Sequence, residues 1–512
     1  MRCSCRAWVA RLRAPSGIGW SLLHLFVFLW LFASKLYGEQ ILGGDQLYFR
    51  YASRVVRGEV PYRDFTLEYP PFSLVAFALP RLFTASPFRW ERGFLYQVIV
   101  WDLVVLWLLG RVKGRGNAAR AAYTIGLISI GPLVTQRFDL LPGALALSAL
   151  LAHAAGHHRT AWFALLLGIF TKLYPVVLLP LFVVDLACRR KWRALADGLA
   201  ISAVTCVACA AVNAWLWPGM LSVFIGYHTA RPVEIESLYA NISLLAHALV
   251  GAPAATTYEY GSVNLRSSLG DGAARLSLPL AAIALVACYA WYWRHARAGE
   301  APAELLFQYA CLVTLGFIVT NKVLSPQYLI WLLPLVALSR SVVVLALFAA
   351  VGCLTFGVYP LHFDALIRAE HGAICLLSLR NVLLFLLAIA ITRWWGAAPC
   401  AVQFSRGALW WLRGLLVVFA ACLGLVFAWP APRDEPVRLP PDLDGDGRVG
   451  PLEAAVVAAG GIDYNEDGRV DEREREILQS RGLDVIGDGI VDAAEWRFFF
   501  RYAGELVKGS ER

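Results

Sequence analysis

Apolar runs of roughly membrane-spanning length recur along the first 428 residues, and every second loop between them is basic. That alternation constrains the chain more than any other feature. Inside a bilayer a backbone satisfies its own polar groups as a helix or a closed barrel, and an apolar stretch of about 20 residues reads as a helix. Loops rich in Lys and Arg stay on the cytoplasmic side. The fold class expected is therefore an all-α polytopic membrane protein. Composition agrees, with 59% hydrophobic and 16% charged residues, against about 45–50% and about 25% in soluble domains. A disordered chain, a coiled coil and an ordinary soluble enzyme are excluded.

Thirteen spans are expected, at 18–37, 93–110, 119–134, 140–155, 160–171, 174–187, 194–217, 275–293, 304–320, 326–339, 341–359, 373–392 and 408–427. The run at 72–83 follows Pro70-Pro71 and is too short to cross, so it reads as a juxtamembrane helix. With that choice each inner loop is basic, residues 1–17 form a cytoplasmic basic tail, and the C-terminus is outside. Residues 18–428 form the membrane domain, 429–441 a linker with Pro436, Pro440 and Pro441, and 442–512 a soluble domain. The net charge of +9 hides a division at this boundary. Residues 429–512 carry 19 acidic and 11 basic residues, whereas the first 428 carry 18 acidic and 35 basic. The positive charge is loop charge, and no nucleic-acid partner is expected. The eleven cysteines are scattered and form neither a disulfide framework nor a metal set.

This topology collects ionisable residues at the outer membrane face. Asp45, Asp64 and Glu68 lie in the first outer region, and Arg137 and Asp139 in a tight outer turn. Lys172 stands at the apex between two short spans, His228 and Arg231 open a second long outer loop, and Lys322 and Gln327 share another apex. A carboxylate there can take a proton from an attacking hydroxyl. Cations can hold a lipid-linked phosphate and stabilise it as it leaves. The reaction class this suits is glycosyl transfer from a polyprenyl phosphate to an acceptor hydroxyl. Inside the spans, Asp102 and His24 read as structural hydrogen-bonding residues, and Asp185 as the partner of Arg189 or Arg190.

The segment Gly44-Asp45-Gln46-Leu47-Tyr48, followed by Pro61-Tyr62-Arg63-Asp64-Phe65 and Glu68-Tyr69-Pro70-Pro71, resembles the first outer loop of GT-C superfamily glycosyltransferases, most closely those of glycosyltransferase family 87. Arg137-Phe138-Asp139, Thr171-Lys172-Leu173-Tyr174-Pro175 and Ser325-Pro326-Gln327-Tyr328 with Trp331 and Pro334 are similar to later pieces of the family. The resemblance implies a polytopic enzyme using polyprenyl-phosphate mannose or a related donor, with inversion in a single displacement. It makes Asp45 the catalytic base, and Arg137, Lys172 and Lys322 the donor-phosphate residues, with His228 a further candidate. Glu68 and Asp64 either bind acceptor or shape the loop; Asp139 and Gln327 complete the candidate site.

The acidic tail carries its own motif. Asp442, Asp444, Asp446, Gly447, Arg448, Val449 and Glu453 occupy positions 1, 3, 5, 6, 7, 8 and 12 of an EF-hand loop. Asp463, Asn465, Asp467, Arg469 and Glu474 repeat it, and Asp484, Asp488 and Glu495 form a third copy with Ile486 at position 3. Oxygen-only ligands suit a hard cation, so Ca²⁺ is the expected cofactor. The loop starts at 442 and 463 leave room for one helix between them, which resembles dockerin-type calcium modules. The ion either folds the tail or lets it dock a protein partner.

The leading expectation is a multi-pass plasma-membrane (bacterial inner-membrane) glycosyltransferase, with its calcium module on the outer face. Its partners would be a polyprenyl-phosphate sugar donor, a glycan, lipid or protein acceptor, and membrane lipid. A transporter or lipid flippase with a calcium-sensing tail is the alternative, and an inactive scaffold that docks partners is another.

Overall fold

The computed structural model describes residues 17–34, 43–84, 87–215, 220–298, 302–395, 401–428 and Val456. They fall into two compact units. One comprises residues up to 79 and from 94 to 428; the other contributes 80–93 and Val456 to the described residues. The calcium loops proposed from the sequence, Asp442 to Glu495, lie outside the described residues.

Helices dominate. The first are α1 (Gly17–Ala33), α2 (Gly43–Val56), α3 (Ser73–Arg81), α4 (Pro87–Leu109) and α5 (Gly116–Ile130). Then come α6 (Leu140–Ala154), α7 (His158–Thr171), α8 (Leu179–Cys188), α9 (Trp192–Trp215), α10 (Met220–Ala230) and α11 (Leu238–Val250). A hairpin of β1 (Ala255–Glu259) and β2 (Ser262–Arg266) precedes α12 (Ser268–Ala274), α13 (Ser277–Arg297), α14 (Ala303–Thr320) and α15 (Leu329–Val336). The last are α16 (Val342–Phe356), α17 (Phe363–Ile367), α18 (His371–Trp394) and α19 (Arg406–Ala428).

Eight of the described helical segments are long and apolar enough to cross a membrane. They coincide with eight of the thirteen expected spans. The other five expected spans are helical but shorter. Leu140–Ala154 has 15 residues and His158–Thr171 has 14, for example. Prolines and tight turns break these runs: Pro175 opens a 3₁₀ turn before α8, and Pro326 opens another before α15. The short run after Pro71 forms α3, nine residues long and below spanning length. An all-α expectation does not foresee the hairpin. Its turn residues Tyr260 and Gly261 have φ of +56° and +67°, the signs a two-residue primed turn requires.

α6 is apolar on every side and is buried from Leu140 to His153, the signature of a central helix. α13 is also mainly apolar before its basic last turn, yet only Tyr292 and Ala296 of it are buried. Close approach in the bundle uses a small residue. A Cβ on Gly126 of α5 would stand 2.5 Å from Leu333 of α15 and 3.0 Å from Phe348 of α16.

Two groups of intramembrane polar residues pair internally. The Thr124 hydroxyl lies 2.8 Å from the Arg120 carbonyl and 2.7 Å from His24 Nε2. His24 Nδ1 lies 2.8 Å from one oxygen of Asp102, and the Tyr123 hydroxyl donates to the other at 2.8 Å. Asp185 pairs with Arg189 (2.8 Å), one of the two expected partners, and also with His153 (2.8 Å) and the Tyr292 hydroxyl (2.6 Å).

Residues 233–235 join the hairpin along one edge: Leu265 N–H donates to the Val233 carbonyl (2.8 Å) and Ile235 N–H to the Val263 carbonyl (3.1 Å). Ile235, Tyr239 and Leu265 share a buried apolar cluster with Val358, Leu366 and Ile374. Beneath it, Arg380 of α18 donates to the Glu236 carbonyl (2.7 Å), and its guanidinium lies 3.5 Å from the Glu236 carboxylate. The hairpin region is thereby held to the last third of the bundle.

Candidate functional site

The segment after α2 is pinned at several points. Tyr62, at φ +66°, donates its N–H to the Phe65 carbonyl (2.8 Å) and its hydroxyl to the Tyr69 carbonyl (2.6 Å). Phe72 N–H donates to the Phe170 carbonyl at the end of α7 (2.9 Å). Glu68 and Tyr69 are therefore held beside the α7–α8 connection. Tyr48 of α2 stacks on Phe77 (4.4 Å between centroids) and meets Tyr69 (6.0 Å) and Phe138 (5.5 Å) edge-on. Asp45 is in the first turn of α2, three positions before Tyr48, so the helix register puts the two positions on one face. The Asp45 side chain lies outside the described residues.

Against this aromatic floor sits an ion pair. Lys172 Nζ is 2.6 Å from Asp139 Oδ1, and both residues are buried. The Trp331 indole N–H donates to the same oxygen. The ammonium faces the rings of Phe138 (4.7 Å), Trp331 (5.3 Å) and Tyr69 (5.4 Å). Trp331 is itself sandwiched between Tyr328 (3.9 Å) and Tyr174 (4.2 Å). Burial pulls the Lys172 ammonium below the usual lysine range; Asp139 opposes this. Arg137 is buried next to the pair, within electrostatic reach of Tyr48, Tyr359 and Asp139, and its Nε has no hydrogen-bond partner among the described residues.

A second polar group adjoins the first through Glu68. The Tyr227 hydroxyl is 2.7 Å from Glu68 Oε2 and 2.7 Å from the Tyr260 carbonyl at the hairpin turn. His228 Nε2 lies 3.3 Å from the Glu68 carbonyl. Burial, then Arg231, pushes the His228 imidazole below its usual range, which favours the neutral ring. Arg231 donates to the Ser262 hydroxyl (3.0 Å), and Lys322 donates to the Thr229 carbonyl (3.0 Å). Burial and then Arg231 also lower Lys322. Glu234 is buried and accepts from the Ser325 hydroxyl (2.7 Å).

The structure thus unites Glu68, Arg137, Asp139 and Lys172, and sets His228 and Lys322 in the adjoining group. Gln327 is half-buried in the turn that carries Tyr328. Asp64 is placed differently. Both of its oxygens bond within its own loop, to Arg63 (2.8 Å each) and to the Val60 N–H (2.7 Å). Of its two expected roles, this geometry favours shaping the loop. Arg63, and then the Val60 N–H, lower its carboxyl to about 2. Sequence reasoning assigns no role to Tyr227, Glu236 or Arg380, and counts Arg231 only among the ionisable residues of the outer face. Arg380 has a visible signal, a lone charge within an apolar run; Tyr227 has none.

Among the described residues no cluster of three or more His, Cys, Asp or Glu is placed to hold a metal ion. Lys172 and Arg137 instead stand buried among aromatic rings and carboxylates, an arrangement suited to an anionic, partly apolar ligand.

The family model of glycosyltransferase family 87 matches residues 65–321, half of the chain. No curated protein matches the chain.

Proposed function

The chain belongs to glycosyltransferase family 87 and is a membrane glycosyltransferase; on that premise we propose that it transfers a sugar from a polyprenyl-phosphate donor to an acceptor hydroxyl. Mannose is the sugar proposed, and the outer face of the plasma membrane the location. The observation that carries this reading is the buried group of Arg137, Lys172, Asp139 and Glu68 beside α2, whose first turn holds Asp45.

In the proposed reaction the Asp45 carboxylate accepts the proton of the acceptor hydroxyl. The oxygen attacks the anomeric carbon as the bond from that carbon to the phosphate oxygen breaks, with inversion. The electron pair leaves on the phosphate, where Arg137, Lys172 and Lys322 stabilise it. The products are the glycosylated acceptor, the polyprenyl phosphate and a proton on Asp45. Glu68, tied to Tyr227, shapes the acceptor side, and His228 and Gln327 line the approach.

The tail is proposed to bind Ca²⁺ through Asp442, Asp444, Asp446 and Glu453, and through Asp463, Asn465, Asp467 and Glu474. The support is the donor set, carboxylate and amide oxygens at EF-hand spacing. The ion would fold the tail rather than take part in transfer.

The test is transfer by purified protein in lipid, using radiolabelled polyprenyl-phosphate sugars and a membrane-extract acceptor mixture. Turnover of one donor with inversion supports the reading. Absence of both donor turnover and donor binding overturns it and favours the transporter.

A further inference from the structure

We propose that Asp139 is a positioning residue, which through one carboxylate oxygen holds Lys172 and Trp331 in place and keeps the Lys172 ammonium charged. The proposal rests on the reading of Lys172 as a donor-phosphate cation. It goes beyond that reading by assigning Asp139 no contact with substrate.

The geometry is specific. Asp139 is fully buried, and its Oδ1 takes both the Lys172 ammonium at 2.6 Å and the Trp331 indole N–H. Oδ2 has no hydrogen-bond partner among the described residues. Two donors on one oxygen fix both side chains relative to the start of α6, because Asp139 immediately precedes that helix. Trp331 cannot turn away, being stacked on both faces by Tyr174 and Tyr328. Lys172 is a flexible four-carbon side chain, yet its ammonium is confined among Phe138, Tyr69 and Trp331.

Confinement among rings has an electrostatic cost, because burial favours the neutral amine. The charged groups facing Lys172 are Asp139 and Glu68, which favour the ammonium, and Arg137, which opposes it. Only Asp139 is in direct contact with it among the ion pairs of the described residues. Removing the Asp139 charge leaves a buried lysine beside Arg137, and such a lysine sheds its proton at lower pH. An arginine at position 172 would keep its charge without help.

The test is binding of polyprenyl phosphate, without sugar, to the full chain in neutral-lipid nanodiscs from pH 6 to pH 10. Asp139→Asn is expected to weaken binding about tenfold at pH 7.5, about 1.4 kcal/mol. It should also move the alkaline loss of binding to lower pH, with recovery towards wild type at pH 6. Lys172→Arg in the Asp139→Asn background should restore binding at pH 7.5 and flatten the alkaline limb. Lys172→Arg alone should flatten the wild-type limb, which keeps the proposal testable if Asp139→Asn does not fold. An unshifted pH profile in Asp139→Asn, or no rescue by arginine, would overturn the positioning role. Unchanged binding in Lys172→Met would instead overturn the donor-phosphate reading of Lys172, and the proposal with it.

Discussion

The hydroxyl of Tyr227 lies 2.7 Å from the carboxylate of Glu68, across 159 positions of sequence. The same hydroxyl reaches the Tyr260 carbonyl, so one side chain joins the segment after α2 to the turn of the hairpin. A hydrogen bond to a charged group contributes about 1.5–3 kcal/mol. Tyr227→Phe is therefore expected to lower transfer efficiency by about tenfold, chiefly through acceptor KM. Steady-state kinetics with acceptor varied at saturating donor would check this; a rise confined to donor KM would contradict it.

Asp45→Asn should reduce turnover by about 10²-fold or more, the usual contribution of a general base. Asp64→Asn should change it by less than about tenfold, because hydrogen bonds to the rest of its loop are individually modest. Both variants would be assayed side by side, with folding compared by thermal melting in detergent. Similar losses in the two would remove Asp45 from its assigned role.

Arg137→Ala should raise donor KM about tenfold or more, and Arg137→Lys should recover only part of it. A guanidinium can engage phosphate through two parallel hydrogen bonds, whereas an ammonium acts as a point charge. Donor titration of the three proteins measures the difference. Full recovery by lysine would show that charge alone suffices.

Glu236 supplies a pH dependence of stability. Burial, opposed by Arg380 and reinforced by Glu234, pushes its carboxyl from 4.5 up to about 8. Between those values the folded chain holds a proton that the unfolded chain has released, so stability falls as pH rises through this window. The slope from one such group is at most about 1.4 kcal/mol per pH unit. Glu236→Gln should remove that slope and be more stable than wild type at pH 8. Thermal unfolding from pH 5 to 8 reads both, and parallel curves for the two proteins would refute it.

Calcium titration of the full chain should show binding at about 10⁻⁴–10⁻³ M, the range of extracellular modules. Asp442→Asn together with Asp463→Asn should abolish it while transfer continues. Loss of transfer in that variant would make the tail part of the catalytic machinery.

Much of the site is legible in the amino-acid sequence. Loop charge puts the segments of Arg137, Asp139, Lys172 and Glu68 at one membrane end, and the fold brings these residues together. The same logic groups Asp64 with them, but local geometry ties its carboxylate to its own loop. Arg63 adjoins it and the Val60 N–H is within reach, so both carboxylate oxygens are engaged by its own loop. Tyr227 is not legible as a site residue. Tyrosines are common at membrane–water interfaces, and only the packing of α10 against the Glu68 segment distinguishes this one.

The deeper division concerns which apolar faces turn inward. Apolar run length and loop charge determine that this chain forms membrane helices and where its polar segments gather, because backbone and charge desolvation depend on local sequence. They do not distinguish α6 from α13. Both are mainly apolar, yet one is buried along most of its length and the other is largely exposed. Lipid is as good a solvent for leucine as a protein interior, so hydrophobicity ceases to report burial. Specific shape and polar pairing decide it instead: the space left by Gly126, the two donors on Asp139, and the reach of Arg380 to Glu236.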